Sequence, residues 1–372
     1  MDYTSILLVH FQMTKILTIL GTRPEIIRLS RIIPKLDLIS EHKVLHTGQN
    51  YDANLNDIFF KELGIRNPDV VIENKNVSFA GQLGNTFLGV EKFIYEFNPD
   101  KVLILGDTNS GLSSLICERL GIPVYHMEAG NRCYDLKVPE EKNRKIIDAI
   151  STINLPYTNL SRENLLREGI SNNKIVVTGN PIKEVIDFYN DQIERSTILE
   201  KLNLSPKKYI IATAHRAENV DDNERLKNIF ESFNIISKEY PIVFSCHPRT
   251  KEKLKKFNID LENKNIIVLE PLGFFDFIKL EKNSSMAFTD SGTVQEEMCL
   301  FKIPTVTIRD TTERPETVWC GSNIISGLNT DQILRCYEQM KNISRDWDIP
   351  QGYDIDNVSD IVINVLLSNR DF

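Results

Sequence analysis

Two segments concentrate chemistry in the last third of this chain: Thr289-Asp290-Ser291-Gly292-Thr293-Val294-Gln295-Glu296-Glu297 and Arg309-Asp310-Thr311-Thr312-Glu313-Arg314-Pro315-Glu316. The apolar run Ser285-Met286-Ala287-Phe288 precedes the first, small residues follow, and then comes a helix-like stretch. That pattern predicts a strand, a tight turn and a helix N-terminus, where backbone N–H groups without helical partners converge and suit an anion, above all a phosphate. Acidic residues one turn into the helix repel phosphate but accept hydrogen bonds from ribose hydroxyls. A nucleoside diphosphate is the ligand that needs both.

Other polar clusters each follow an apolar run. In Gly21-Thr22-Arg23-Pro24-Glu25-Ile26-Ile27-Arg28, Pro24 suits a first helical turn, and Arg23 and Arg28 flank a helix start that already favours anions. Arg23 can fork onto a phosphate oxygen pair. Asp107 in Gly-Asp-Thr and Glu128 in Glu-Ala-Gly leave two strand ends, and Glu140 and Glu141 follow Pro139 at a helix start. Carboxylates gathered in a cleft can have their pKa values driven apart, so that one donates and another accepts a proton; helix capping is the alternative for Asp107, and favourable charge at a helix N-terminus for Glu140 and Glu141. His215 and His247, each close to an arginine, are candidate phosphate or oxyanion ligands. The aromatic turn Pro271-Leu272-Gly273-Phe274-Phe275 offers a ring to cover a flat base or to pack in the core.

The elements that must position these residues are short, continuous apolar runs alternating with helical patterns. Strands are expected at Ile16–Leu20, Val44–His46, Val102–Leu105, Val124–Met127 and Ile175–Thr178, then at Tyr209–Thr213, Ile242–Ser245, Ile266–Leu269, Met286–Thr289 and Thr305–Ile308. Runs of this kind are buried on both faces of a parallel sheet, and their alternation with helices predicts βαβ units in a doubly wound α/β fold. With 372 residues the chain is long enough for two such domains. The break is expected after Gly179-Asn180-Pro181, giving domains at 13–182 and 183–356 that face each other across a cleft.

A net charge of −8 and the lack of a basic run exclude nucleic acid as a main partner. No run reaches the ~20 apolar residues a membrane span needs. Six scattered cysteines read as free thiols in a reducing compartment, which points to the cytoplasm. No GxGxxG follows the first strand and no GxxxxGK[ST] occurs, which argues against a dinucleotide redox cofactor and NTP hydrolysis; no metal-ligand spacing appears. Residues 1–12 lack a basic n-region and a cleavage site; Met13 is the expected start of the folded part, with 1–12 as an extension.

Taken in order, Gly21–Arg28, Gly106-Asp107-Thr108, Glu128-Ala129-Gly130, Pro139-Glu140-Glu141-x-Asn143-Arg144, Gly179-Asn180, His215-Arg216-x-Glu218-Asn219, Pro271-Leu272-Gly273, Asp290-Ser291-Gly292-x-x-Gln295-Glu296-Glu297 and Arg309–Glu316 resemble the non-hydrolysing UDP-N-acetylglucosamine 2-epimerases. The resemblance implies a glycosyltransferase-B-like pair of Rossmann-like domains, with a C-terminal helix (357–370) returning to the first. It also implies a homodimer, no cofactor, and interconversion of UDP-GlcNAc and UDP-ManNAc through elimination of UDP to 2-acetamidoglucal and re-addition. Asp107, Glu128, Glu140 and His215 match the family's catalytic positions. Arg23, Arg28, Arg144, His247, Phe274, Ser291, Gly292, Thr293, Gln295, Glu296 and Arg314 are the substrate-binding set, with Gln295 and Glu296 at the ribose.

The sequence departs from many members at Thr293, where they carry a second glycine, and in the shorter segment between Glu128 and Pro139. It also carries Asn50-Tyr51-Asp52 where a second, activating substrate site is associated with a different run. The stretch from Glu128 to Cys133 is also similar to relatives acting on 6-deoxy UDP-HexNAc sugars, such as those forming UDP-N-acetyl-L-fucosamine, or on 2,3-diacetamido sugars. A hydrolysing epimerase and a retaining glycosyltransferase of the same architecture are the remaining readings.

Overall fold

A computed structural model describes residues 13–49, 53–74, 78–260 and 263–368. The extension at 1–12 and the Asn50-Tyr51-Asp52 run lie outside the described residues.

Two six-stranded parallel sheets form the frame. The first contains β1 (Lys15–Leu20), β2 (Glu41–His46), β3 (Val70–Val71), β4 (Lys101–Leu105), β5 (Val124–Met127) and β6 (Ile153–Leu155), in the order β3-β2-β1-β4-β5-β6. The second contains β7 (Ile210–Thr213), β8 (Ile242–Ser245), β9 (Ile266–Leu269), β10 (Met286–Thr289), β11 (Thr305–Thr307) and β12 (Asn323–Ile325), in the order β12-β11-β10-β7-β8-β9. Each sheet therefore winds both ways from a central pair, β1/β4 and β7/β10, and the crevice beyond that pair is where doubly wound sheets bind ligands.

The central strands are apolar on both faces because both faces are covered. Leu17 and Ile19 pack into a cluster with Val90, Ile94 and Val102, while Ile16 and Leu20 join Leu29, Leu103 and Met127 on the opposite side. In the second sheet Ile210, Phe244 and Phe288 face Phe230 and Phe233, and Ile211, Val243 and Ala287 face Leu280 and Met298.

Eight helices matter for the site or its frame: α1 (Arg23–Leu29), α2 (Pro139–Ile150), α3 (Ile182–Phe188), α4 (Pro248–Lys256), α5 (Phe274–Asn283), α6 (Gly292–Leu300), α7 (Pro315–Trp319) and α8 (Val358–Leu367). Val358, Val362, Ile363 and Leu366 of α8 lie in the same core as Ile16 and Leu103, and the Ser359 N–H donates to Glu184 of α3.

One expected strand is absent. Along Ile175–Thr178, Ile175 forms an isolated bridge to Asn154, and the N–H groups of Val176 and Thr178 donate to Asn154 and Pro156. The segment follows the edge of β6 without building a ladder. Strands β3, β6 and β12 hold only two or three residues each, too few to stand out as apolar runs.

Candidate functional site

The polar clusters sit at the C-terminal ends of the four central strands. Thr213 and Thr289 are register partners with their hydroxyls 2.7 Å apart, so His215 and Ser291 each emerge two residues beyond a fixed pair. On the other sheet Glu25 ties its helix start to the end of β4. Its carboxylate accepts the Gly21 and Thr22 N–H groups and the Thr108 hydroxyl, closing a capping box on α1. Burial pushes the Glu25 carboxyl up to about 7 despite these bonds.

Asp107 follows β4 and accepts a hydrogen bond from Arg144 Nε of α2 at 2.7 Å, and Arg144 Nη2 lies 2.7 Å from the same oxygen as an ion pair. Arg144 also pairs with the buried Glu141 at 2.6 Å, and Asn143 donates to the Asp107 carbonyl. Burial raises the Asp107 pKa, and the neighbouring Glu128 and Glu140 raise it further; Arg144 and Arg216 only partly offset them. Glu140, about one-third exposed, lies 3.3 Å from Arg216 of the second domain. Arg216 also meets Glu313 at 3.2 Å, and Glu313 binds Arg309 at 2.7 Å. Burial alone would raise the Glu313 carboxyl, but Arg309, Arg216 and Arg144 hold it well below the usual range. The two sets of strand ends therefore face each other, linked by charge.

Glu128 follows β5 with φ of 67°, the left-handed region that a non-glycine residue enters only at a cost. One of its oxygens accepts from Arg28 of α1 and the other from Arg314. Burial opposes ionisation, yet the two guanidiniums more than compensate and hold the carboxyl at about 2. Glu296 of α6 bridges the same two arginines from the second domain. Arg28 additionally reaches the Thr293 hydroxyl at 3.3 Å.

The anion-binding corner lies at the start of α6. Ser291 is its N-cap, and the N–H groups of Gly292 and Thr293 have no acceptor among the described residues, as a first turn dictates. A Cβ at Gly292 would stand 2.7 Å from Glu313 Oε1, so glycine is what lets this turn lie against the loop carrying Arg314. Asp290, fully buried, accepts the His215 and Arg216 N–H groups at 2.8 and 2.9 Å. Its second oxygen lies 3.0 Å from His215 Nδ1, which turns Nε2 outward. Burial opposes the Asp290 charge, but His215 and the amides hold it at about 2. His247 caps α4: its Nδ1 accepts the Arg249 N–H at 3.3 Å, which leaves its proton on Nε2. Burial, with His215 and Arg23 close by, lowers its pKa to about 4, so it is neutral at pH 7. Arg23 has no carboxylate partner among the described residues; burial lowers its pKa, and its guanidinium sits 5.9 Å from the Phe59 ring centroid.

Asp107, Glu128, Glu140, Arg28, Arg144 and Arg314 thus form one charged network, and Arg23, His215, His247, Ser291, Gly292 and Thr293 surround the anion corner. Three of the expected binding residues have protein partners here. The Phe274 ring is buried in the shared core, edge-on to Tyr189 at 6.4 Å. The Gln295 amide holds Thr312, Asn323 and the Ser291 carbonyl. Both Glu296 oxygens accept from Arg28 and Arg314. Arg216, Glu313 and Asp290 were missed as site residues. The alternation of sign among Glu140, Arg216, Glu313 and Arg309 was the available signal, but only the fold makes them neighbours.

Comparison with known proteins agrees with this geometry. The family model described as UDP-N-acetylglucosamine 2-epimerase matches residues 36–367. UDP-N-acetylglucosamine 2-epimerase of Methanocaldococcus jannaschii is 42% identical over 354 residues, covering 91% of this chain and 95% of its own. UDP-2,3-diacetamido-2,3-dideoxy-D-glucuronate 2-epimerase of Pseudomonas aeruginosa is 38% identical over 327 residues, covering 86% and 90%. The solved structure of the M. jannaschii enzyme in complex with UDP-GlcNAc and UDP superposes with a TM-score of 0.90 at 41% identity, covering 95% of this chain and 99% of that one. A second structure of that enzyme, with the same coverage, gives 0.73.

Proposed function

Because this chain belongs to the UDP-N-acetylglucosamine 2-epimerase family, we propose that its interdomain crevice interconverts UDP-GlcNAc and UDP-ManNAc. The observation that carries the reading is one juxtaposition. An anion corner of helix amides, a fixed imidazole and an arginine with no carboxylate partner among the described residues opens onto Asp107, a carboxyl whose pKa is raised.

The proton on C2 of the sugar has no adjacent carbonyl and is not acidic, so direct abstraction is hard. Elimination avoids the difficulty: the C1–O bond to UDP breaks as the C2 proton leaves, forming 2-acetamidoglucal. UDP then adds back while a proton arrives on the opposite face. The enzyme must hold the departing diphosphate, a task of preorganised donors. The Gly292 and Thr293 amides, His215 Nε2, His247 Nε2 and Arg23 serve it.

Proton transfer at C2 needs groups whose pKa values approach the working pH. Asp107, raised by its surroundings, fits that role, with Glu140 as the second carboxyl. Glu128, held at about 2 between two arginines, is a weak base. Its pairing with Arg28 and Arg314 supports a role in fixing those two arginines rather than in carrying the proton.

A modified UDP-HexNAc is the second reading, favoured by the 38% identity to the P. aeruginosa 2,3-diacetamido-sugar enzyme. A homodimer in the cytoplasm is the setting that family membership supports. Among the described residues, no helix is long and apolar enough to cross a membrane.

Proton NMR of the protein with UDP-GlcNAc in D2O tests the proposal. UDP-ManNAc carrying deuterium at C2 is the expected product. UDP with free ManNAc would assign a hydrolysing enzyme instead. An unchanged spectrum from protein that binds UDP would shift the substrate to a modified UDP-HexNAc.

A further inference from the structure

Arg28, Glu128, Arg314 and Glu296 form a closed ring in which each charge touches two of opposite sign. Arg28 and Glu128 belong to the first sheet's domain; Arg314 and Glu296 belong to the second. All four side chains are between 0 and 8% exposed. Removing one member of such a buried set would strand a charge and destabilise the fold strongly. Separating the domains would not. The Arg28–Glu128 couple stays whole on one side and the Arg314–Glu296 couple on the other, each neutral, and only Arg28–Glu296 and Glu128–Arg314 break. The ring is stable closed and divisible without an orphan.

Glu296 lies in the second turn of α6, whose first turn forms the anion corner, and Thr293 on the same helix contacts Arg28. The left-handed backbone at Glu128 directs its carboxylate to both arginines at once. Such an outlier persists only where its surroundings over-determine it. Two structures of one relative superpose on this chain with TM-scores of 0.90 and 0.73 at equal coverage, so that relative adopts more than one conformation.

We propose that Glu296 is a positioning residue that, with Arg314, latches the two domains, so that closing over the sugar nucleotide and fixing Arg28 and Glu128 beside the reacting sugar are one event. This rests on the function proposed above. A ligand at the start of α6 draws Glu296 and Arg314 onto the Arg28–Glu128 couple. The guanidiniums reach their final places only in the closed form, and the anion corner never needs Glu296 as a ligand.

The test is Glu296→Gln, with Glu296→Gln/Arg314→Gln as the second variant. The double variant removes the second domain's couple as a neutral unit, so it folds even if the single variant does not. UDP affinity is measured by calorimetry, the change in radius of gyration on adding UDP by solution scattering, and kcat and KM on UDP-GlcNAc. Wild-type protein should compact with UDP. The variants should bind UDP within about tenfold of wild type, without compacting. Their kcat should drop about 100-fold, the scale of an ångström-level misplacement, with KM little changed.

Wild-type compaction and kcat within threefold in the variants would overturn the latch. So would complete loss of UDP binding, which would make Glu296 a ligand, or a wild-type protein that does not compact. Wild-type protein that compacts with UDP yet leaves UDP-GlcNAc unepimerised would overturn the proposed function alone; scattering from the variants would still decide the latch.

Discussion

Asp107→Asn separates proton transfer from ligand binding. The carboxylate of Asp107 is bound by Arg144, and among the described residues it makes no hydrogen bond to the anion corner. Asparagine keeps the shape and one acceptor but cannot take a proton. Loss of a positioned acid–base group costs ~10²–10⁴ in rate, or about 3–5 kcal/mol of barrier. Arg144 keeps Glu141 at 2.6 Å and Glu313 at 4.0 Å, so no buried charge is orphaned.

The stability effect is small because two terms oppose. A weaker Arg144 bond costs about 1–2 kcal/mol. Against it, the folded pKa of Asp107 is raised, so the stability that group contributes is present below its unfolded value of about 3.9 and is lost as pH rises through the folded value. Asparagine does not incur that loss at neutral pH. The same raised pKa should place the acid limb of kcat/KM above the ordinary carboxylate range in wild type. The assays are initial rates of UDP-ManNAc formation across pH, calorimetry with UDP and thermal unfolding. The reasoning fails if the variant keeps kcat within threefold, or if UDP affinity falls in step with kcat.

Other perturbations address the rest of the site. Arg23→Met should weaken UDP binding by about 1.5–3 kcal/mol, the worth of a charged hydrogen bond, and flatten its salt dependence; unchanged affinity in calorimetry would remove Arg23 from the diphosphate. Gly292→Ala puts a Cβ 2.7 Å from Glu313 Oε1. It should cost about 1–3 kcal/mol as overpacking and weaken UDP together with stability, so an unaltered Tm and Kd would contradict it. Glu281 and Glu297, one on α5 and one on α6, are buried beside each other, and burial raises both pKa values. Their contribution to stability is therefore present below about 4.3, the unfolded value for Glu, and is lost as pH rises. Glu281→Gln removes one titration, and its Tm should decline less than that of wild type between pH 5.5 and 8; parallel declines would refute this.

The charged network divides the labour of the carboxylates by what each touches. Glu128 and Glu313 each meet more than one arginine and are held far into the ionised range. Asp107 meets one arginine but lies near two other carboxylates, and its pKa rises instead. Three acids of the crevice thus separate into two anchors and one carboxyl with a raised pKa, the one the proposed function uses for proton transfer, with the balance of charged neighbours setting the direction of each shift. An enzyme that must keep a strongly anionic product in place between two half-reactions gains from this arrangement. The arginines of the network are paired with carboxylates, and Arg23, with no carboxylate partner among the described residues, is the one the proposed function assigns to the diphosphate.

Strand ends were legible in the sequence because buried parallel strands are written as continuous apolar runs and the polar residue after each run has only one place to go. That logic located Asp107, Glu128, His215 and Ser291 and gave the doubly wound plan. It failed for β3, β6 and β12, whose two or three residues lie at or near sheet edges, and for Ile175–Thr178, where an apolar run bonds along an edge without forming a ladder. Side chains whose direction depends on helix phase are not legible in this way. In α6 the turn after Ser291 sends Gln295 toward Thr312 and Asn323 and Glu296 toward Arg28 and Arg314, and a string of acceptors reads the same whether it faces ribose or guanidinium. Phe274 is ambiguous for a related reason: an aromatic at a helix start can cover a base or fill a core, and here Tyr189 at the end of α3 and the adjoining Phe275 close around it. Position along the chain fixes which residues reach a site. Partners from the opposite domain fix what each is free to do there, and the sequence does not say which residues those partners are.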